Sequence, residues 1–137
     1  AKDAAEQQIA ASLRDVQSGP FHIVLEQIDS FDNDACVVRV QESRELKELH
    51  YAILLRLSGF VEVDLSQPYC GKDPVRQSLW KTYGSAYVAD GYTPHVTIGH
   101  GHPKRAKKCL KGRTWEVTAF QLSKKKESWQ TIETFDL

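Results

Sequence analysis

Residues 92–108 read YTPHVTIGHGHPKRAKK, with three histidines (His95, His100, His102) and four basic residues (Lys104, Arg105, Lys107, Lys108) in seventeen positions. Within this stretch HVTIG, residues 95–99, alternates polar and apolar. A period of two puts His95, Thr97 and Gly99 on one face and Val96 and Ile98 on the other. That is a strand with an apolar back and a polar front, and Pro94 suits its first position because it has no ladder hydrogen to give. If the strand stays regular, His100 and His102 share a face with each other but not with His95. Gly99 and Gly101 are where that regularity can break.

Outward from this strand the chain alternates between helix and strand patterns. Ala5, Ile9, Leu13 and Val16 recur at helical spacing and predict a helix over 3–17, ended by Ser18-Gly19-Pro20. FHIVLEQI (21–28) and CVVRV (36–40) read as strands joined by a hairpin loop. Leu46, Leu49, Ile53 and Leu57 predict a second helix over 43–57, with Ser43 as N-cap and Gly59 as stop. FVEVDL (60–65) reads as a short strand, and VRQSLWKTYG (75–84) as a short helix. PKRAKKCLKG (103–112) reads as a basic helix, with Pro103 at its start and Gly112 past its end. WEVTAFQL (115–122) and WQTIETFDL (129–137) read as the two strands of a closing hairpin, with Trp115 and Trp129 expected in the core. The pattern predicts an α+β fold with mostly antiparallel sheets and two longer helices, as a single domain over residues 1–137.

Composition narrows the function classes. Eighteen basic and eighteen acidic residues give zero net charge, so attraction to a polyanion must be local. Ala52 to Leu55 is the longest apolar run, too short to span a bilayer, and no membrane partner is expected. Cys36, Cys70 and Cys109 are widely spaced with no CxxC pair, which reads as reduced thiols in a cytoplasmic protein. The chain begins Ala1-Lys2-Asp3 and contains no methionine, so it is expected to start downstream of a translated start.

The front face of 95–99 has a specific chemical use. An imidazole exchanges a proton near neutral pH, and a hydroxyl two residues along can donate to a phosphate oxygen. Lys104 and Arg105 then supply local positive charge, and Tyr92, three residues before His95, is the aromatic expected to stack on a base. The competing readings are a solvated helix face for the basic run and an incidental strand histidine for His95. A zinc site from His95, His100 and His102 lacks a fourth ligand.

YTPHVTIG, the basic segment after it and WEVTAFQLSKKKESWQTIETFDL together resemble the C-terminal half of the 2H phosphoesterase superfamily. That superfamily includes RNA 2'-5' ligase-like proteins and 2',3'-cyclic nucleotide phosphodiesterases. SGPFHIVLEQIDSFDNDACVVRVQESRELKELHYAILLRL (18–57) resembles its middle section, and PHVTIG is the specific element. The resemblance implies a bilobal architecture with two H-x-T motifs facing each other across a cleft. One histidine acts as general base and the other protonates the leaving oxygen, while the threonines hold phosphate oxygens. It implies no metal and no other cofactor. Carried onto this chain, His95 is one of the catalytic pair and Thr97 its phosphate-holding partner.

A second H-x-T is absent from the 137 residues. By the family's order it precedes a helix like 3–17, so the expectation is a domain lacking an N-terminal strand that carries the first motif. The alternatives are a non-catalytic relative, or another histidine in its place. His22 in HIV keeps the spacing but has Val24 where threonine belongs. The implied function is metal-independent hydrolysis of a 2',3'-cyclic phosphate or a 2'-5' linkage at an RNA end or in a nucleotide. The runner-up is a nucleotide- or RNA-binding module of the same fold.

Overall fold

The computed structural model describes residues 3–31, 34–67, 69–101 and 110–137. Its elements run α1 (Ala4–Leu13), β1 (Phe21–Ser30), β2 (Ala35–Val40), α2 (Arg44–Leu57), α3 (Pro74–Tyr83), β3 (His95–His100), β4 (Thr114–Val117), β5 (Ala119–Lys125) and β6 (Trp129–Asp136). Single 3-10 turns at Ser58–Phe60 and Ala89–Gly91 complete them. The fold is α+β with antiparallel sheets, as expected, and the chain divides into two compact units. One comprises Pro20–Lys47 and Thr93–Val117; the other comprises Ala1–Gly19, Glu48–Tyr92 and Thr118–Leu137.

The first unit is a four-stranded sheet in the order β3-β2-β1-β4, antiparallel throughout. Its core follows from β-branched and apolar residues on the inner strands. Phe21, Ile23 and Leu25 alternate inward along β1, and every residue of β2 except Arg39 is buried, with Val37 and Val38 at 0% exposure. Among the described residues β3 is an edge strand, with β2 as its ladder partner. The half-buried Arg39 is the one charge in β2 and pairs with Asp29 of β1.

The second unit holds α1, α3, most of α2 and the β5–β6 hairpin. Asp3 caps α1 reciprocally: its carboxylate accepts from the Glu6 N–H at 2.8 Å, and Glu6 accepts from the Asp3 N–H at 3.2 Å. The inward face of α1 is Glu6, Ala10 and Leu13, with Ala5 exposed, so the stripe is rotated from the expected Ala5/Ile9/Leu13/Val16. The cause is Glu6, which turns inward to meet the Lys124 ammonium of β5; that bond holds its carboxyl below the ordinary carboxylate range. Ser43 caps α2 as expected, its hydroxyl accepting from the Leu46 N–H at 3.2 Å. Gly84 ends α3 at φ 69°, a conformation that favours glycine.

Besides the phase of α1, which also ends at Leu13 rather than at 17, three more sequence expectations fail here. FVEVDL forms no strand. WEVTAFQL is not one strand but two: β4 pairs with β1 in the first unit, Thr118 breaks the run, and β5 pairs with β6 in the second. Trp115 and Trp129 are not core residues, at 44% and 70% exposure, because β4 is an edge strand and Trp129 opens β6 beside the hairpin turn. The predicted basic helix over 103–112 falls largely on residues 102–109, outside the described residues.

Candidate active site

β3 forms where the sequence placed it, and its ladder fixes what each side chain faces. His95 lies opposite Arg39, Val96 opposite Val38 and Thr97 opposite Val37. Directly opposed residues in an antiparallel pair point to the same face. His95 and Thr97 therefore share the face of Arg39 and Val37, about 7 Å apart along the strand. Both are exposed.

The register then shifts. Cys36 opposes Gly99, so Ile98 is an extra residue without a ladder partner, and Ala35 opposes His100. Since Ala35, Val37 and Arg39 share one face of β2, the bulge brings His100 onto the face of His95 and Thr97, where an unbroken strand would not. Four residues of β2 separate their ladder partners, so the two histidines sit about 13 Å apart along the strand, twice the His95–Thr97 spacing. His102 lies outside the described residues, and among those described no group of three or more His, Cys, Asp or Glu could hold a metal ion.

His95 is held from two directions. Its Nδ1 is 2.7 Å from the Thr93 carbonyl oxygen, which can only accept, so Nδ1 carries the hydrogen and Nε2 is left for proton exchange. Its ring meets Phe31 edge-on, with centroids 4.7 Å apart and planes at 76°. Phe31 in turn lies under the Arg39 guanidinium, whose Cζ is 5.0 Å from the ring centroid. Arg39 donates from Nε and Nη2 to Asp29 Oδ2 at 3.0 and 2.8 Å. That pair, reinforced by the Ser30 N–H, holds the Asp29 carboxyl below its ordinary range. A cavity of 630 Å³ is lined among others by Glu26, Asp29, Arg39, Gln41, Thr93 and Pro94. His95 and Thr97 are not in its wall; Thr93 and Arg39, which touch or oppose His95, are.

The sequence reading missed Asp29, Phe31 and Arg39. One signal was available for Arg39: it is the lone charge within the apolar run CVVRV. His22, the substitute considered for a second catalytic histidine, is exposed and pairs with Glu116 on β4, past the residue where β1 leaves β2. The sheet does not bring it to His95. Lys104 and Arg105 lie outside the described residues.

Tyr92, the expected base-stacking aromatic, belongs to the second unit and has one face occupied. His50 of α2 stacks on it at 4.0 Å with planes 4° apart, and burial pushes the phenol's pKa up. The same imidazole accepts the Ala89 N–H at Nε2, at 2.9 Å, and so fixes a residue at φ 49°. Burial lowers the His50 pKa. The folded chain thus resists a proton that the unfolded chain takes at the ordinary histidine value of about 6.5. Stability is expected to fall as pH drops below that value, through the window down to the depressed folded pKa. In His50→Gln, whose amide oxygen can still accept from Ala89, the drop in Tm between neutral and mildly acidic pH should shrink. An unchanged pH profile in that variant would remove His50 as the cause.

A crystal structure of TT0787 from Thermus thermophilus superposes with a TM-score of 0.58 at 17% identity, over 100% of this chain and 73% of that one, which is a likeness of fold. No curated protein sequence matches the chain. The sequence model of the 2'-5' RNA ligase superfamily matches residues 1–129, almost the full length. A match over 129 of the 137 residues shows that the chain belongs to the 2'-5' RNA ligase superfamily of 2H phosphoesterases.

Proposed function

We propose that this chain acts on a 2',3'-cyclic phosphate or a 2'-5' linkage of RNA or a nucleotide, using His95 as a general acid or base and the Thr97 hydroxyl as a hydrogen-bond donor to a phosphate oxygen. The observation that carries the reading is the His95 Nδ1 contact with the Thr93 carbonyl. It commits one ring nitrogen to orientation and leaves Nε2 for the substrate, beside a hydroxyl about two residues' rise away. Membership in the 2'-5' RNA ligase superfamily supports RNA or a nucleotide as the general substrate class. Tyr92, Lys104 and Arg105 are the proposed substrate contacts on sequence grounds. The chemistry as written needs no metal.

A second reading, a nucleotide- or RNA-binding module without turnover, is favoured by one observation: among the described residues no other histidine lies beside His95, with His22 paired to β4 and His100 about 13 Å along β3. The deciding assay incubates the chain and its His95→Ala variant with a 2',3'-cyclic nucleotide in EDTA. Turnover lost in the variant supports the enzyme. Salt-sensitive binding without turnover supports the module.

A further inference from the structure

The groups around His95 form an ordered series: Asp29, Arg39, Phe31, His95. Each link has its own geometry. Asp29 is fixed by the Ser30 N–H on Oδ1 at 2.8 Å and by Arg39 on Oδ2. Both Arg39 donors that reach Asp29 belong to its fork, so the guanidinium plane is set, and its Cζ stands over Phe31. Phe31 is pinned at its backbone: its N–H donates to the Ala35 carbonyl at 3.0 Å, and its carbonyl accepts from the Asp34 N–H at 2.9 Å. Asp34 adopts φ 62°, which closes this turn. The ring edge-to-face contact then reaches His95, whose ladder partner is Arg39 itself.

We propose that Arg39, clasped by Asp29, is the positioning residue for the His95 imidazole, acting through Phe31. This rests on the reading of His95 as the proton-transferring group. Arg39 lies opposite His95 on the same face, which would suit a direct phosphate ligand. The clasp argues otherwise: Nε and Nη2 are both committed to a carboxylate that stays ionised, and the guanidinium is committed to an aromatic face. Among the described residues β3 has a single ladder, on β2, so its backbone is held from one side and the ring contacts are what fix the His95 side chain. The Thr93 contact fixes one atom of the ring and permits rotation about the remaining axis. The Phe31 contact removes that freedom. Proton transfer demands a ring aimed within a narrow angle, and small misplacements cost much of the rate.

The test reads the ring directly. In 15N-labelled parent protein, His95 is expected to give one sharp set of ring resonances in the Nδ1–H tautomer at a pH where the ring is neutral. In Arg39→Ala and Phe31→Ala the set should broaden or show both tautomers, while Arg39→Lys, which keeps a cation over Phe31 but loses the fork, falls between. Far-UV circular dichroism checks that each variant is folded; if Arg39→Ala is not, Arg39→Lys and Asp29→Asn carry the comparison. Against a 2',3'-cyclic nucleotide, Arg39→Ala should lower kcat by about ten- to a hundredfold with KM little changed. A raised KM with unchanged kcat would mean that Arg39 binds phosphate, and the proposal falls. It falls equally if the His95 resonances are identical in folded Arg39 and Phe31 variants. If the resonances respond but neither parent nor variant turns over substrate, the positioning role stands and the proposed activity fails.

Discussion

Replacing His95 with alanine is expected to reduce turnover of a 2',3'-cyclic nucleotide by about 100- to 10,000-fold, the range that a positioned acid or base contributes. The effect should appear in kcat. Thr97 remains in place to meet the phosphate, and ground-state binding does not require the proton to move. Loss of fold should not account for it: His95 is exposed on an edge strand, where substitutions away from buried features usually change stability by about 0.5 kcal/mol or less. Two contacts are at risk, the Nδ1–H bond to the Thr93 carbonyl and the Phe31 edge, so Tm is measured alongside the rate. Thr97→Val should lower the rate less than His95→Ala, since a lost neutral donor costs less than a lost proton carrier. A His95→Ala protein as active as its parent would place the chemistry elsewhere. Should the parent itself be inactive, the same pair of proteins decides the second reading: His95→Ala should then weaken nucleotide binding at low salt.

The local parts of this site are legible in the sequence and the non-local parts are not. β1, β2 and β3 can be read because β-branched residues alternate in short runs between turn residues, and the order His-x-Thr on a strand fixes a shared face without knowledge of any neighbour. Asp29, Phe31 and Arg39 are invisible as a group, because only the β1–β2–β3 register brings them to His95. The bulge at Ile98, which carries His100 to the site face, has Gly99 and Gly101 as its only trace. WEVTAFQL shows why pattern reading overreaches. Its alternation runs through Thr118 uninterrupted, yet the chain leaves one sheet there and joins another. Period-two alternation reports half-burial, not which sheet does the burying. The phase of α1 escapes the pattern for a different reason. A carboxylate ordinarily faces water, whereas the capping box and Lys124 make an inward Glu6 tolerable.

Leu25→Ala is expected to destabilise the protein by about 2–5 kcal/mol, toward the upper end of that range. Leu25 is 1% exposed and sits opposite Val40, close to where the β1–β2 register shifts. The cost of a truncated core residue depends on whether its surroundings can collapse into the gap. Here the backbone is tied on both polar groups: the Leu25 N–H donates to the Arg113 carbonyl at 2.8 Å, and its carbonyl accepts from the Gly112 N–H at 2.8 Å. β1 is also an inner strand, with β2 on one side and β4 on the other, so it cannot shift without breaking a ladder. The cavity should therefore persist. For a chain of this size the expected fall in Tm is roughly 10–20 °C by thermal denaturation. Leu55→Ala removes the same atoms from a residue 68% exposed and should cost under about 0.5 kcal/mol. Equal losses from the two variants would show that β1 is not the spine of its sheet. The contrast bears on function because, among the described residues, β3 has no ladder partner but β2, and β2 is held in turn by β1. A void under β1 loosens the strand that carries Arg39, and with it the ring that Arg39 and Phe31 hold. Leu25→Ala should accordingly lose activity at temperatures below its own Tm, while Leu55→Ala keeps it.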